Sequence, residues 1–140
     1  MAILCIDRPL AHVFEWAELG KKDDAVLAVG LNADEARHIN ADAFVAGKIK
    51  SVWSEKPPTG PSYDQILHDA PIHPGDSGGP LLTPEGKLLG INTDGAYGPL
   101  QWVGLPHGGA ERPDVDWVRR IIEEDAARHS ALAPQKPNAH

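Results

Sequence analysis

Glycine and proline interrupt this chain too often for long helices. Its 140 residues include 14 glycines and 13 prolines, and the apolar runs between them are short. That texture belongs to an all-β barrel or sandwich. The runs give candidate strands at Ala2–Ile6, Ala25–Val29, Ala43–Trp53, Tyr63–His68, Pro80–Leu82, Lys87–Asn92 and Gln101–Gly104. Thr83-Pro84-Glu85-Gly86 reads as a hairpin turn between two of them. Ser54–Pro61, with three prolines and a glycine, is a surface loop.

One segment departs from this pattern. After Pro113, residues Trp117, Val118, Ile121 and Ile122 recur at helical spacing, with Ala126 one turn on. Asp114 can cap the start and Asp116 sits in the first turn, where a negative charge suits the helix dipole. An amphipathic helix over 113–129 is expected, and Ser130–His140 is expected to fray.

Composition narrows the functional classes. The length suits one domain, and a hydrophobic share of 41% suffices for a core. A net charge of −7 argues against nucleic acid, because phosphate binding needs clustered Lys and Arg. No apolar run approaches the ~20 residues of a membrane span. The N-terminus shows no basic region followed by a long apolar stretch, so no signal peptide is expected in this chain, and the compartment stays undecided. Cys5 is the single cysteine, so no intrachain disulfide can form; it reads as a small buried hydrophobe. No two histidines have tight metal-binding spacing, so neither a structural zinc nor any other cofactor is expected.

The chemistry concentrates in Gly75-Asp76-Ser77-Gly78-Gly79-Pro80. Glycines allow positive φ and close backbone approach. Successive amides can then converge into an anion-binding nest, and a serine placed there has a ready oxyanion hole for acyl transfer. With its flanks, Pro74 before it and Leu81-Leu82 and Gly86-Lys87-Leu88-Leu89-Gly90-Ile91-Asn92-Thr93 after it, the stretch resembles the nucleophile segment of the trypsin/chymotrypsin-like serine proteases. It is closest to the bacterial trypsin-like branch that includes the HtrA-type enzymes. Ala25–Gly30 and Ala46–Ser51 resemble the first two strands of that family's C-terminal barrel. The resemblance implies a six-stranded antiparallel C-terminal β-barrel over 25–112, an interdomain crossover over 1–24 and a final α-helix. It covers about residues 1–125, but only half of a two-barrel enzyme.

The resemblance also implies roles. Ser77 would be the nucleophile, and the amides of Gly75 and Ser77 would hold the oxyanion. Thr93, Asp94 and Gly95 match the segment that pairs with an extended substrate backbone. Pro71, six residues before the serine, matches the pocket floor. A proline there brings no charge, which favours a small or apolar substrate residue, although Asp69 and Asp94 are near in sequence. Asp76 stands where trypsin pairs an acid with a new N-terminal amine and HtrA-like relatives often have Asn, so the mode of activation is open.

A serine hydroxyl needs a general base and a group to orient that base. Met1-Ala2-Ile3-Leu4 resembles the segment just after the family's catalytic aspartate. On this reading the aspartate would stand immediately before Met1, and the histidine further upstream in a missing N-terminal barrel. A rival pairing of His12 with Asp24 leaves too few residues for the intervening strands. His68 and His73 precede Ser77 closely and read as ordinary polar residues on the wrong barrel. His38 suits a solvated turn, His107 a loop, and His129 and His140 the tail.

Two functions are therefore expected: a serine endopeptidase acting on polypeptides but inactive as this chain alone, or a non-catalytic peptide-binding module derived from one. A lone barrel would expose the face meant for its partner, so self-association is expected. Phe14 and Trp16 are candidates for that face.

Overall fold

The computed structural model describes residues 13–30, 44–72, 75–93 and 108–132. Six strands, β1 (Ala25–Val29), β2 (Phe44–Glu55), β3 (Tyr63–His68), β4 (Pro80–Leu82), β5 (Leu88–Thr93) and β6 (Gly108–Pro113), precede one helix, α1 (Val115–Leu132). The strands close into a barrel in the order β1-β2-β3-β6-β5-β4, and all its pairings are antiparallel. Among the described strands each therefore has a neighbour on both sides, over part of its length.

Alternation sets the interior. In β1, Val26 and Ala28 point inward and are buried. Ile49, Ile66, Leu81, Leu89 and Ala110 join them from the other strands. Ala17 and Ala70 complete the core from outside the strands. Burying a side chain of Val, Leu or Ile size contributes about 1.5–3 kcal/mol.

The long strand β2 serves two neighbours. Its first half pairs with β1, Ala25 opposite Lys48, and its second half with β3, Ile49 opposite His68. The β3 register slips between Ile49 and Ser51, leaving Lys50 as the extra residue of a bulge. A bulge bends a strand and re-aims a side chain. Here Lys50 Nζ reaches Asp69 Oδ2 at 2.5 Å, and the Lys48 amide donates to Asp69 Oδ1 at 2.6 Å.

The expected hairpin turn is present: the Gly86 amide donates to Thr83 O at 2.9 Å, and Gly86 has φ of +81°. The helix starts where the sequence places it, with the Trp117 amide donating to Asp114 Oδ1 at 2.9 Å. It runs on to Leu132, past the expected end at His129.

Gly108 and Gly109, which read as loop in the sequence, open a strand. The expected strand Gln101–Gly104, like Ala2–Ile6, lies outside the described residues. The strand that closes the barrel is Gly108–Pro113. Its first two buried alternating positions, Gly108 and Ala110, are small. A Cβ on Gly108 would lie 2.0 Å from His68 Cε1.

The segment before β1 docks on the barrel. Trp16 forms a parallel bridge with Leu88, flanked by Leu88 N donating to Glu15 O at 2.7 Å and Ala17 N to Leu88 O at 2.9 Å. The Arg112 guanidinium locks this seam. It donates to Ala17 O at 2.7 Å and Leu89 O at 3.1 Å, and lies 5.2 Å over the Trp16 ring. Trp16 is therefore half-buried against the barrel rather than part of a bare face, whereas Phe14 is exposed.

Candidate active site

Ser77 sits at the tip of a tight turn. The Gly79 amide donates to Asp76 O at 3.0 Å, which closes a four-residue turn with Ser77 and Gly78 at its centre. Gly78 has φ of +91°, the value that the third residue of a type II turn requires. Gly75, just before, has φ of +103°. A Cβ would meet nothing within 4 Å at either position. These glycines are needed for their backbone angles, not for space, because side-chain-bearing residues rarely adopt them. Gly75, Ser77 and Gly78 are all exposed.

The base of the turn is buried. Asp76 packs on Gly30 at the end of β1, where a Cβ would lie 2.2 Å from its carboxyl. The Gly78 amide donates to Asn92 O at 2.8 Å, and the Asn92 amide to Gly79 O at 2.7 Å. This pairing continues the β4–β5 ladder up to the serine turn. Thr93 follows Asn92 directly at the end of β5, half-buried and opposite Gly109. The fold thus brings Gly75, Ser77 and Thr93 to one end of the barrel.

Pro71 is half-buried in the segment that carries the chain from β3 to the turn. That segment crosses β2 at Gly47, where a Cβ would lie 2.4 Å from Ala70 N. Asp69 is engaged by Lys50 and Lys48, and the Lys50 ammonium holds its carboxyl below the usual carboxylate range. Its charge is thus directed to β2. Asp94 and Gly95 lie outside the described residues, as do His12, His38, His73, His107 and His140.

Of the two described histidines, neither is a ready base. His129 on α1 faces Asp125, with Nδ1 3.4 Å from Asp125 Oδ2. His68 has 0% of its surface exposed, and neither ring nitrogen has a hydrogen-bond partner among the described residues. Burial pushes its pKa down to about 4, against weaker raising effects of the Ala70 backbone and the Asp69 carboxylate. From the sequence, His68 reads as an ordinary polar loop or strand residue. The signal was available: in β3 it shares the inward side with Ile66. No group of metal-ligating side chains occurs among the described residues.

Comparison with known proteins supplies the family. A family model described as a trypsin-like peptidase domain matches residues 1–91. This chain belongs to that family. The peptidase domain is 36% identical over 89 residues to the serine protease Do-like HtrA of Bacillus subtilis (strain 168), covering 59% of this chain and 20% of that protein. It is 44% identical over 100 residues to the chloroplastic Protease Do-like 1 of Arabidopsis thaliana, covering 71% of this chain and 21% of that protein. The chain thus spans about one fifth of the length of these curated relatives. Among solved structures it resembles the Rv3671c protease of M. tuberculosis. A serine-to-alanine mutant in the inactive form matches with a TM-score of 0.55 and 19% identity, covering 91% of this chain and 58% of that one. The active form matches with a TM-score of 0.52 and 18% identity, covering 90% and 50%. At such identities the likeness concerns the fold.

Proposed function

We propose that this peptidase domain carries the nucleophile half of a serine endopeptidase. The observation that carries the reading is Ser77, exposed at the tip of a turn between two left-handed glycines, on a barrel of this family. In this reading Ser77 Oγ gives its proton to a base and attacks the scissile carbonyl. The amides of Gly75 and Ser77 receive the oxyanion, an interaction worth about 3–4 kcal/mol per donor. The tetrahedral species then expels the amine, which takes the proton from the base, and water hydrolyses the acyl-serine.

Thr93, with Asp94 and Gly95, pairs with the substrate backbone as an added strand. Pro71 floors a pocket for a small or apolar side chain. The engagement of Asp69 with β2 supports that preference by removing one nearby charge. The base and its orienting acid come from a histidine-bearing barrel half upstream. Among the described residues, His68 is buried and His129 is engaged with Asp125, so neither stands ready as that base. Without its base a triad enzyme retains only the residual catalysis of oxyanion hole and binding.

A fluorophosphonate probe with mass-spectrometric mapping tests this. The chain alone is expected to stay unlabelled. The chain joined to its upstream barrel half is expected to be labelled at Ser77, and Ser77→Ala to abolish the adduct. Efficient labelling of the isolated chain would overturn the external base. No labelling of the two-barrel protein would overturn the peptidase reading.

A further inference from the structure

We infer that Asn92 is a positioning residue that fixes the serine turn to the end of the barrel. Its role in catalysis rests on the endopeptidase reading above; its role as a clip does not. Asn92 is 1% exposed and ends the apolar run Leu88-Leu89-Gly90-Ile91 with an amide. A buried amide is costly unless its polar atoms are paired. The Asn92 Nδ2 donates to Val29 O at 3.2 Å and to Pro80 O at 3.3 Å, while its Oδ1 has no partner among the described residues. Both partners are carbonyls, so only the NH2 end of the amide can face them.

These bonds converge on the turn from three sides. The backbone of Asn92 holds Gly78 and Gly79, and its side chain holds Pro80 and the last residue of β1. Gly79 is part of the same device. A Cβ there would lie 2.1 Å from Val29 O, so the turn presses on the β1 carbonyl that Asn92 serves. The side chain therefore ties β1 and β4 to β5 at Pro80, while the backbone of the same residue holds Gly78 and Gly79, which directly follow Ser77. A leucine of similar size could occupy this buried position. What the leucine lacks is the double donor.

Hydrogen exchange by NMR tests the clip in the full chain without any need for activity. In Asn92→Leu, the Gly78 and Gly79 amides are expected to exchange at least ~10-fold faster, a free-energy change of about 1.4 kcal/mol. Amides of the β2–β3 ladder are expected to be unchanged. Asn92→Asp, matched in size but without the NH2 donors, reads the same amides should the leucine variant not fold. Unchanged turn amides, or equal loss of protection throughout the barrel, would overturn the clip. In the two-barrel protein, Asn92→Leu is expected to lower the phosphonylation rate constant of Ser77 by up to roughly 100-fold, with reversible probe binding nearly unchanged. An unaltered rate constant would overturn the catalytic role. Should the parent two-barrel protein not label at all, the endopeptidase reading fails, while the exchange result still decides the clip.

Discussion

At the scale of single residues, a buried histidine is accommodated because a neighbour gives way. His68 occupies the space that Gly108 leaves, and its ring nitrogens have no described partner. A neutral imidazole can stay there; a charged one would lose its hydration without replacement. Its folded pKa of about 4 lies below the ordinary value of 6.5, so between these values the unfolded chain binds the extra proton. Stability should be full above pH 6.5 and fall as the pH drops towards 4, by roughly 3 kcal/mol. Urea titrations at several pH values would show this slope, and His68→Leu should flatten it. A parent midpoint independent of pH across the window would count against a buried neutral histidine. Asp69 adds a separate loss at lower pH. Its folded pKa is depressed, so its contribution disappears only below the ordinary carboxylate value of 3.8.

At the scale of elements, the seam between the leading segment and the barrel depends on Arg112. Its fork spans three carbonyls, those of Ala17, Leu88 and Leu89, and its plane covers Trp16. A lysine offers a point charge on a flexible stem and cannot reproduce that fork. Arg112→Lys is expected to cost roughly 2 kcal/mol in urea denaturation, since hydrogen bonds to charged groups contribute about that much. The Ala17 amide should lose exchange protection first; equal stability of the two proteins would show that the fork contributes nothing. β1, β3 and β4 were legible to the residue, because their apolar runs are bounded by turn formers. The serine turn was legible from its glycines, whose positive φ values follow from residue type. β6 was not, because Gly108, Ala110 and Arg112 suit their partners across the barrel rather than any local propensity. Asn92 was visible only as the end of a strand. Its role depends on Val29, a residue 63 positions away.

At the scale of the whole molecule, several large apolar side chains are left on the surface. Val13 is 76% exposed and Phe14 54%, and Phe44, Trp53 and Ile122 are also exposed. Apolar side chains left in water favour association, and we expect this chain to self-associate. The net charge of −7 opposes this, because every copy repels every other. The two effects separate with salt. At ~0.1 M ionic strength the screening length is about 10 Å, so added salt weakens the repulsion and leaves the apolar attraction intact. Sedimentation equilibrium should therefore give a mass near the 15.0 kDa monomer at low salt and low concentration, rising as either increases. Val13 and Phe14 lead directly into the seam that Trp16 makes with Leu88, so they can be changed without touching the core. The double substitution Val13→Ser, Phe14→Ser should lower the association constant at least ~10-fold, the equivalent of about 1.4 kcal/mol of lost apolar contact. A monomer at all salt concentrations would overturn the expectation. Association that weakens as salt is added would assign it to charge pairing rather than to the apolar surface.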